Sequence, residues 1–148
     1  EIVLSKNFNF PIVFTAKAFS RKNVIRGLHF QTHNKQTKMI HVLEGKIMDV
    51  LVNLKRSSKN FGKVYKFILS EGETIFIPNF YAHGYECLSK NSTIIYHTDK
   101  YRHVKSESGI DINDKSLKIR WKTKKPIVSK RDKEMMSFLE FKKKIKSL

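Results

Sequence analysis

Acidic residues are scarce in this sequence: 13 Asp and Glu stand against 30 Lys and Arg in 148 residues, a formal net charge of +17. An excess of that size draws anions, but it does not choose between nucleic acid, anionic lipid and a phosphate-bearing small molecule. Cysteine is limited to Cys87, which excludes an internal disulfide and fits a reducing, cytoplasmic compartment. No apolar run approaches the roughly 20 residues that span a bilayer, and no short hydrophobic segment with a cleavage-like site opens the sequence. A soluble protein without a membrane span is therefore expected. Aromatic residues sit inside apolar-patterned segments and do not alternate with Arg, so a base-stacking platform is missing and nucleic acid is not the expected partner. Internal repeats are absent, and helical periods are scarce before residue 130.

What is present suits one domain over residues 1–148, large enough for a single core and one pocket. The charge is uneven: residues 1–99 carry 14 basic and 7 acidic groups, and 100–148 carry 16 and 6. A solvated lysine surface, with a positive field that attracts an anionic substrate, accounts for it. Short runs rich in β-branched and aromatic residues, punctuated by Gly, Pro, Asn and Ser, read as strands. Met39–Leu43, Glu44-Gly45 and Lys46–Leu54 read as a hairpin around a tight two-residue turn. In its second arm Met48, Val50, Val52 and Leu54 share one face, and Ile47, Asp49, Leu51 and Asn53 the other. Further strands are expected over Val64–Leu69, Thr74–Ile77 and Thr93–Thr98, the spacing of an all-β sandwich or barrel.

From Lys130 the pattern turns helical, with Met135, Phe138, Leu139, Lys142 and Ile145 in step. A basic C-terminal helix over 133–148 is expected, its Lys142-Lys143-Lys144 placed where cations suit the helix dipole. Packing on the barrel is its expected use, and adsorption to an anionic membrane is the alternative.

The segment Arg26-Gly27-Leu28-His29-Phe30-Gln31 carries the first chemical signal. On a strand, Gly27, His29 and Gln31 share a polar face while Leu28 and Phe30 pack on the other. One such histidine is more often a hydrogen-bonded core residue than a catalyst, but Lys38, His83 and Tyr96 lie on or beside other expected strands and can converge on the same lumen.

These segments, in order, resemble the dTDP-4-dehydrorhamnose 3,5-epimerase family, nucleotide-sugar epimerases of the cupin superfamily. The resemblance runs through Arg26–Gln31, Gln36-Thr37-Lys38, Leu43-Glu44-Gly45, Lys55-Arg56-Ser57-Ser58, Phe61-Gly62-Lys63 and Ile77-Pro78. It continues through Ala82-His83-Gly84-Tyr85, Tyr96-His97-Thr98, Asn113-Asp114 and Pro126–Asp132, covering about residues 24–135. It implies a cupin, or jelly-roll, β-barrel, a homodimer and a metal-free enzyme without cofactor acting on a nucleotide-linked 4-keto sugar. The chemistry implied is proton removal beside a ketone and reprotonation on the opposite face, which needs a base, an acid and a group that stabilises an enolate. By the same resemblance His29 is the base and Asp132 the carboxylate that orients it. Aspartate just before an apolar helical run is also a common N-cap, and the two roles are compatible. Tyr96 is implied as the acid, since a phenol is protonated at neutral pH. Lys38 is implied beside the developing enolate, His83 in ligand positioning, Arg26 on the diphosphate, and Gln31 and Arg102 among the substrate contacts.

A metal-dependent cupin would draw on His29, His33, His41, His83 and Glu44, but no His-x-His pair lies on one strand face and His33 falls in an expected loop. Two departures leave the ligand open. Phe14–Phe19 stands where the family has a strand bearing Gln, Asn or Ser, and Tyr101 is followed by Arg102 where the family often has two tyrosines. The nucleotide, and attack at C3, C5 or both, therefore stay undetermined. So do the rival readings: a 3,4-ketoisomerase, a sugar-binding cupin without catalysis, and a nucleic-acid-binding protein, whose affinity would fall steeply with salt.

Overall fold

Strict alternation in the segment 46–54 places a core on each side of one strand. Met48, Val50, Val52 and Leu54 belong to one buried apolar cluster, and Ile47 and Leu51 to another, as period-2 side chains of a doubly covered strand must. The computed structural model describes residues 10–145. In chain order it contains β1 (Phe14–Arg21), β2 (Ile25–Gln31), β3 (Lys38–Glu44), β4 (Lys46–Asn53), β5 (Val64–Ser70), β6 (Thr74–Ile77), β7 (Tyr81–Cys87), β8 (Asn91–Thr98) and β9 (Glu107–Gly109), then α1 (Lys130–Lys133) and α2 (Phe138–Lys144). Two antiparallel sheets, ordered β1-β8-β3-β6 and β5-β4-β7-β2-β9, enclose the inner core. This is the expected all-β, jelly-roll barrel. Strand β6 has the expected bounds, β5 gains one residue and β8 gains two.

The expected hairpin does not form. Strand β3 pairs with β6 and β8, whereas β4 pairs with β5 and β7, so Glu44-Gly45 carries the chain from one sheet to the other. A residue pattern of two apolar strands around a Glu-Gly turn is the same in both cases; only the partners differ. Gly45 is required there: its φ is +82°, and a Cβ would stand 2.3 Å from the Asn91 carbonyl oxygen.

Residues beyond β9 form a layer over the outer face of the five-stranded sheet. Ile110, Ile112, Leu117, Phe138 and Phe141 join Leu28, Phe30, Met48, Val50 and Val52 in one cluster. The expected helix over 133–148 is shorter and divided. Ser137 caps α2 in a capping box with Glu140, and Met136 is drawn into a bridge with Ile110 instead of continuing a helix. Residues 146–148 lie outside the described residues. Arg56 closes the far end of α2, donating from Nε to the Ile145 carbonyl at 3.0 Å and from Nη2 to that of Lys142 at 2.5 Å.

Asp114 staples this layer, accepting from the backbone N–H of Ser116 at 2.9 Å, Leu117 at 3.0 Å and Phe138 at 2.7 Å. Asp114→Ala strands the buried Leu117 and Phe138 donors and is expected to lower unfolding stability by about 2–4 kcal/mol. Urea denaturation would measure that loss, and a change under about 0.5 kcal/mol would contradict the stapling role.

Candidate active site

His29 on β2 lies directly opposite His83 on β7. The register of this pair shifts between Arg26 and His29, and in consequence both residues line one cavity although they are three apart. Gly27 allows the close approach: its φ is +133°, and a Cβ would fall 2.4 Å from Gly84 Cα. The cavity lies between the sheets and measures about 390 Å³.

His29 Nε2 is 2.9 Å from Asp132 Oδ1, and Asp132 Oδ2 accepts from the Gly27 N–H at 3.2 Å. Asp132 is buried. Burial works to raise its carboxyl pKa, but the His29 contact and the Gly27 and Ser129 hydrogen bonds together hold it below the ordinary value. An ionised carboxylate here orients the imidazole and stabilises its protonated form. The N-cap reading of Asp132 is corrected by the structure. Ser129 is the cap of α1, its Oγ accepting from the Asp132 N–H at 3.1 Å, which turns the Asp132 side chain towards β2.

A second pair was not foreseen. His83 Nε2 sits 2.8 Å from Oδ2 of Asp49, a residue with no solvent exposure, and Asp49 Oδ1 has no hydrogen-bond partner among the described residues. In the sequence Asp49 was one of two polar positions, with Asn53, on its strand face, and its partner shows only once β4 is paired with β7.

The opposite wall comes from the four-stranded sheet. Lys38 stands across from Thr98, and Ile40 from Tyr96, so Lys38 and Tyr96 are diagonal neighbours on one face. Both line the cavity with His29, His83, Arg26 and Arg102. Arg26 is steered by its Nε bond to Ser20 Oγ at 3.1 Å and its Nη2 bond to the Phe19 carbonyl at 3.0 Å. Gln31 does not line the cavity. It is buried, with its amide 3.1 Å from that of Gln36 and 2.8 Å from Ser106 Oγ, and it supports Gln36, which does line the cavity.

Glu107 and Arg131 were also missed, because each is one charge in a charge-rich stretch. Glu107 pairs with Arg131 Nη2 at 2.7 Å and with Arg102, whose Nε donates at 2.7 Å. Burial opposes ionisation of Glu107, yet these two guanidiniums bring its pKa below the usual range. Of the metal-cupin candidates, His41 bonds Thr74 and His33 contacts Thr32. Neither joins His29 and His83, and no cluster of three His, Cys, Asp or Glu suited to an ion occurs among the described residues.

Burial lowers the Lys38 pKa from 10.5 to about 8, against the opposing pull of Glu107 and Asp49. A reaction that uses the ammonium is expected to lose kcat/KM progressively as pH rises above about 8, a limb that Lys38→Met removes along with most of the activity. The stability effect has the opposite sign. Between about pH 8 and 10.5 the unfolded chain binds more protons at this position, so folding stability rises with pH across that window. Paired pH–rate and pH–melting profiles would separate the two.

Fold and lumen together define a cupin-type barrel equipped with paired imidazoles and carboxylates on one wall and a lysine and a phenol on the other. The model of the dTDP-4-dehydrorhamnose 3,5-epimerase family matches residues 3–140, and the chain belongs to that family. The enzyme of that name from Escherichia coli K12 is 35% identical over 137 residues, covering 88% of this chain and 74% of its own length. The one from Shigella flexneri is 34% identical over 124 residues, covering 82% and 68%. Among solved structures, the dTDP-4-dehydrorhamnose 3,5-epimerase of Elizabethkingia anophelis NUHP1 superposes with a TM-score of 0.85 at 33% identity, covering 90% of this chain and 76% of that one. A Legionella pneumophila dTDP-6-deoxy-D-glucose-3,5-epimerase in complex with dTDP-4-keto-L-rhamnose gives a TM-score of 0.83 at 32% identity, covering 88% and 71%.

Proposed function

We propose that this enzyme epimerises a nucleotide-diphosphate-linked 4-keto-6-deoxy sugar at C3, C5 or both, for deoxysugar and polysaccharide synthesis. The observation that carries the reading is the placement of His29–Asp132 and of Lys38 and Tyr96 on facing sheets. A sugar held between them has its C–H bond broken from one side, the electron pair passing to the ketone oxygen as an enolate. Lys38 balances that charge. Tyr96 then delivers its proton to the other face of the same carbon, and solvent restores the phenol and neutral imidazole. Arg26 and Arg102, on the same cavity, suit the diphosphate, and His83, held by Asp49, positions the sugar. Family membership further supports a single 1–148 domain acting as a homodimer. The lone thiol, Cys87, which is buried, suits a cytoplasmic setting, and no helix among the described residues is long and apolar enough to cross a membrane.

The test is incubation with dTDP-4-keto-6-deoxyglucose in deuterated water, with the C3 and C5 proton signals followed by NMR. Loss of either signal with inversion at that carbon is expected. Migration of the carbonyl would instead identify a ketoisomerase, and silence across several nucleotides and 4-keto sugars would identify a binding protein.

A further inference from the structure

Ten of the 24 lysines fall in the layer that follows β9. The layer after β9 covers the outer face of the five-stranded sheet with its apolar residues inward. Between residues 115 and 144 it exposes ten lysines and Arg120, with Arg131 committed to Glu107, against Glu134 and Glu140 as exposed acids. The third acid of this stretch, Asp132, is turned into the molecule, where it holds His29. Glu140 is committed to the Ser137 cap and to Lys144 at 3.7 Å. The positive field is felt on β5, where Lys66 donates to the Arg120 carbonyl at 3.0 Å. Burial, then the charges of Arg120 and Lys122, lower its pKa.

Two apolar side chains stand out in this field. Ile127 is 57% exposed and Leu139 54% exposed. Ile127 is held rigidly from both sides, its N–H donating to the Asn23 carbonyl at 2.8 Å and its carbonyl accepting from Ile25 N–H at 3.0 Å. In α2, Phe138 and Phe141 are buried, which leaves Leu139 beside Lys142 and Lys143 on the outward side. Lysines ringing protruding apolar side chains match the boundary of an anionic bilayer, where the cations meet headgroups and the apolar tips enter the acyl edge. A nucleic-acid surface would call for stacking rings instead, and Trp121, the aromatic residue of the layer's loop, is half-buried with its Nε1 donating to the Ile112 carbonyl at 2.9 Å.

We infer that this lysine layer docks the protein reversibly on the surface of an anionic phospholipid bilayer. Co-sedimentation of the full chain with vesicles of phosphatidylcholine, or of an equal mixture with phosphatidylglycerol, tests it. Binding to the mixed vesicles alone is expected, weakening about fivefold for each of Lys124→Gln, Lys125→Gln and Lys143→Gln. Ile127→Ser with Leu139→Ser, which leaves the charge intact, is expected to weaken binding about tenfold. Turnover of the sugar nucleotide should not change in any of these variants. Absent binding, equal binding to both vesicles, unchanged affinity of the serine variant, or displacement from vesicles by duplex DNA bound more tightly would each overturn the inference.

Discussion

Asp132→Asn is expected to lower kcat on the order of 10³-fold with little change in KM. The amide keeps the shape of the carboxylate but supplies no charge to steady an imidazolium, and it permits the wrong tautomer of His29. His29→Asn should reach a similar floor, and the double variant should fall little further, because residues acting as one unit are not additive. Steady-state kinetics on the three proteins would decide this, and a full multiplicative loss would place the two residues in separate tasks. Stability provides a second readout. Because the folded Asp132 carboxyl titrates below its ordinary 3.8, its stabilising contribution is present above that value and is lost as pH falls through the folded pKa. The wild type should therefore melt higher than Asp132→Asn at neutral pH, and the gap should close in strong acid.

Tyr96→Phe is expected to separate the two halves of the reaction. Inversion should fall by about 10²- to 10⁴-fold for want of an acid, while His29 on the facing wall continues to remove the proton and to return solvent deuterium to the same face. NMR in deuterated water would then show exchange at the carbon without epimer formation. Equal loss of exchange and inversion would contradict the division of labour between the walls.

The barrel was legible because its information is local. Alternation in Met48–Leu54 stated both faces of β4, and the runs at 64–69, 74–77 and 93–98 found their strands. Strand partners are not local, and that is why Glu44-Gly45 read as a hairpin when it joins two sheets. In the site, His29, Lys38, His83, Tyr96, Arg26 and Arg102 were singled out beforehand and all line one cavity. Asp49, Glu107 and Arg131 escaped notice because a carboxylate on a strand or an arginine in a basic stretch has no signature until its partner is beside it. Gln31 shows the converse: alternation placed it with His29 on the lumen face, but Gln36 and Ser106 claim its amide and it does not line the cavity.

His29 and Asp132 are 103 positions apart in the chain, and the link between them is carried by the outermost layer. A nascent chain halted before Ser129 holds the histidine, the lysine and the tyrosine but has nothing to aim the base. Under the proposed mechanism full activity then waits for the final layer to close over the sheet, and pairings of such long span are slow to form. Regain of turnover on refolding is therefore expected to trail the regain of β-sheet signal, and coincident recovery of the two would contradict that order.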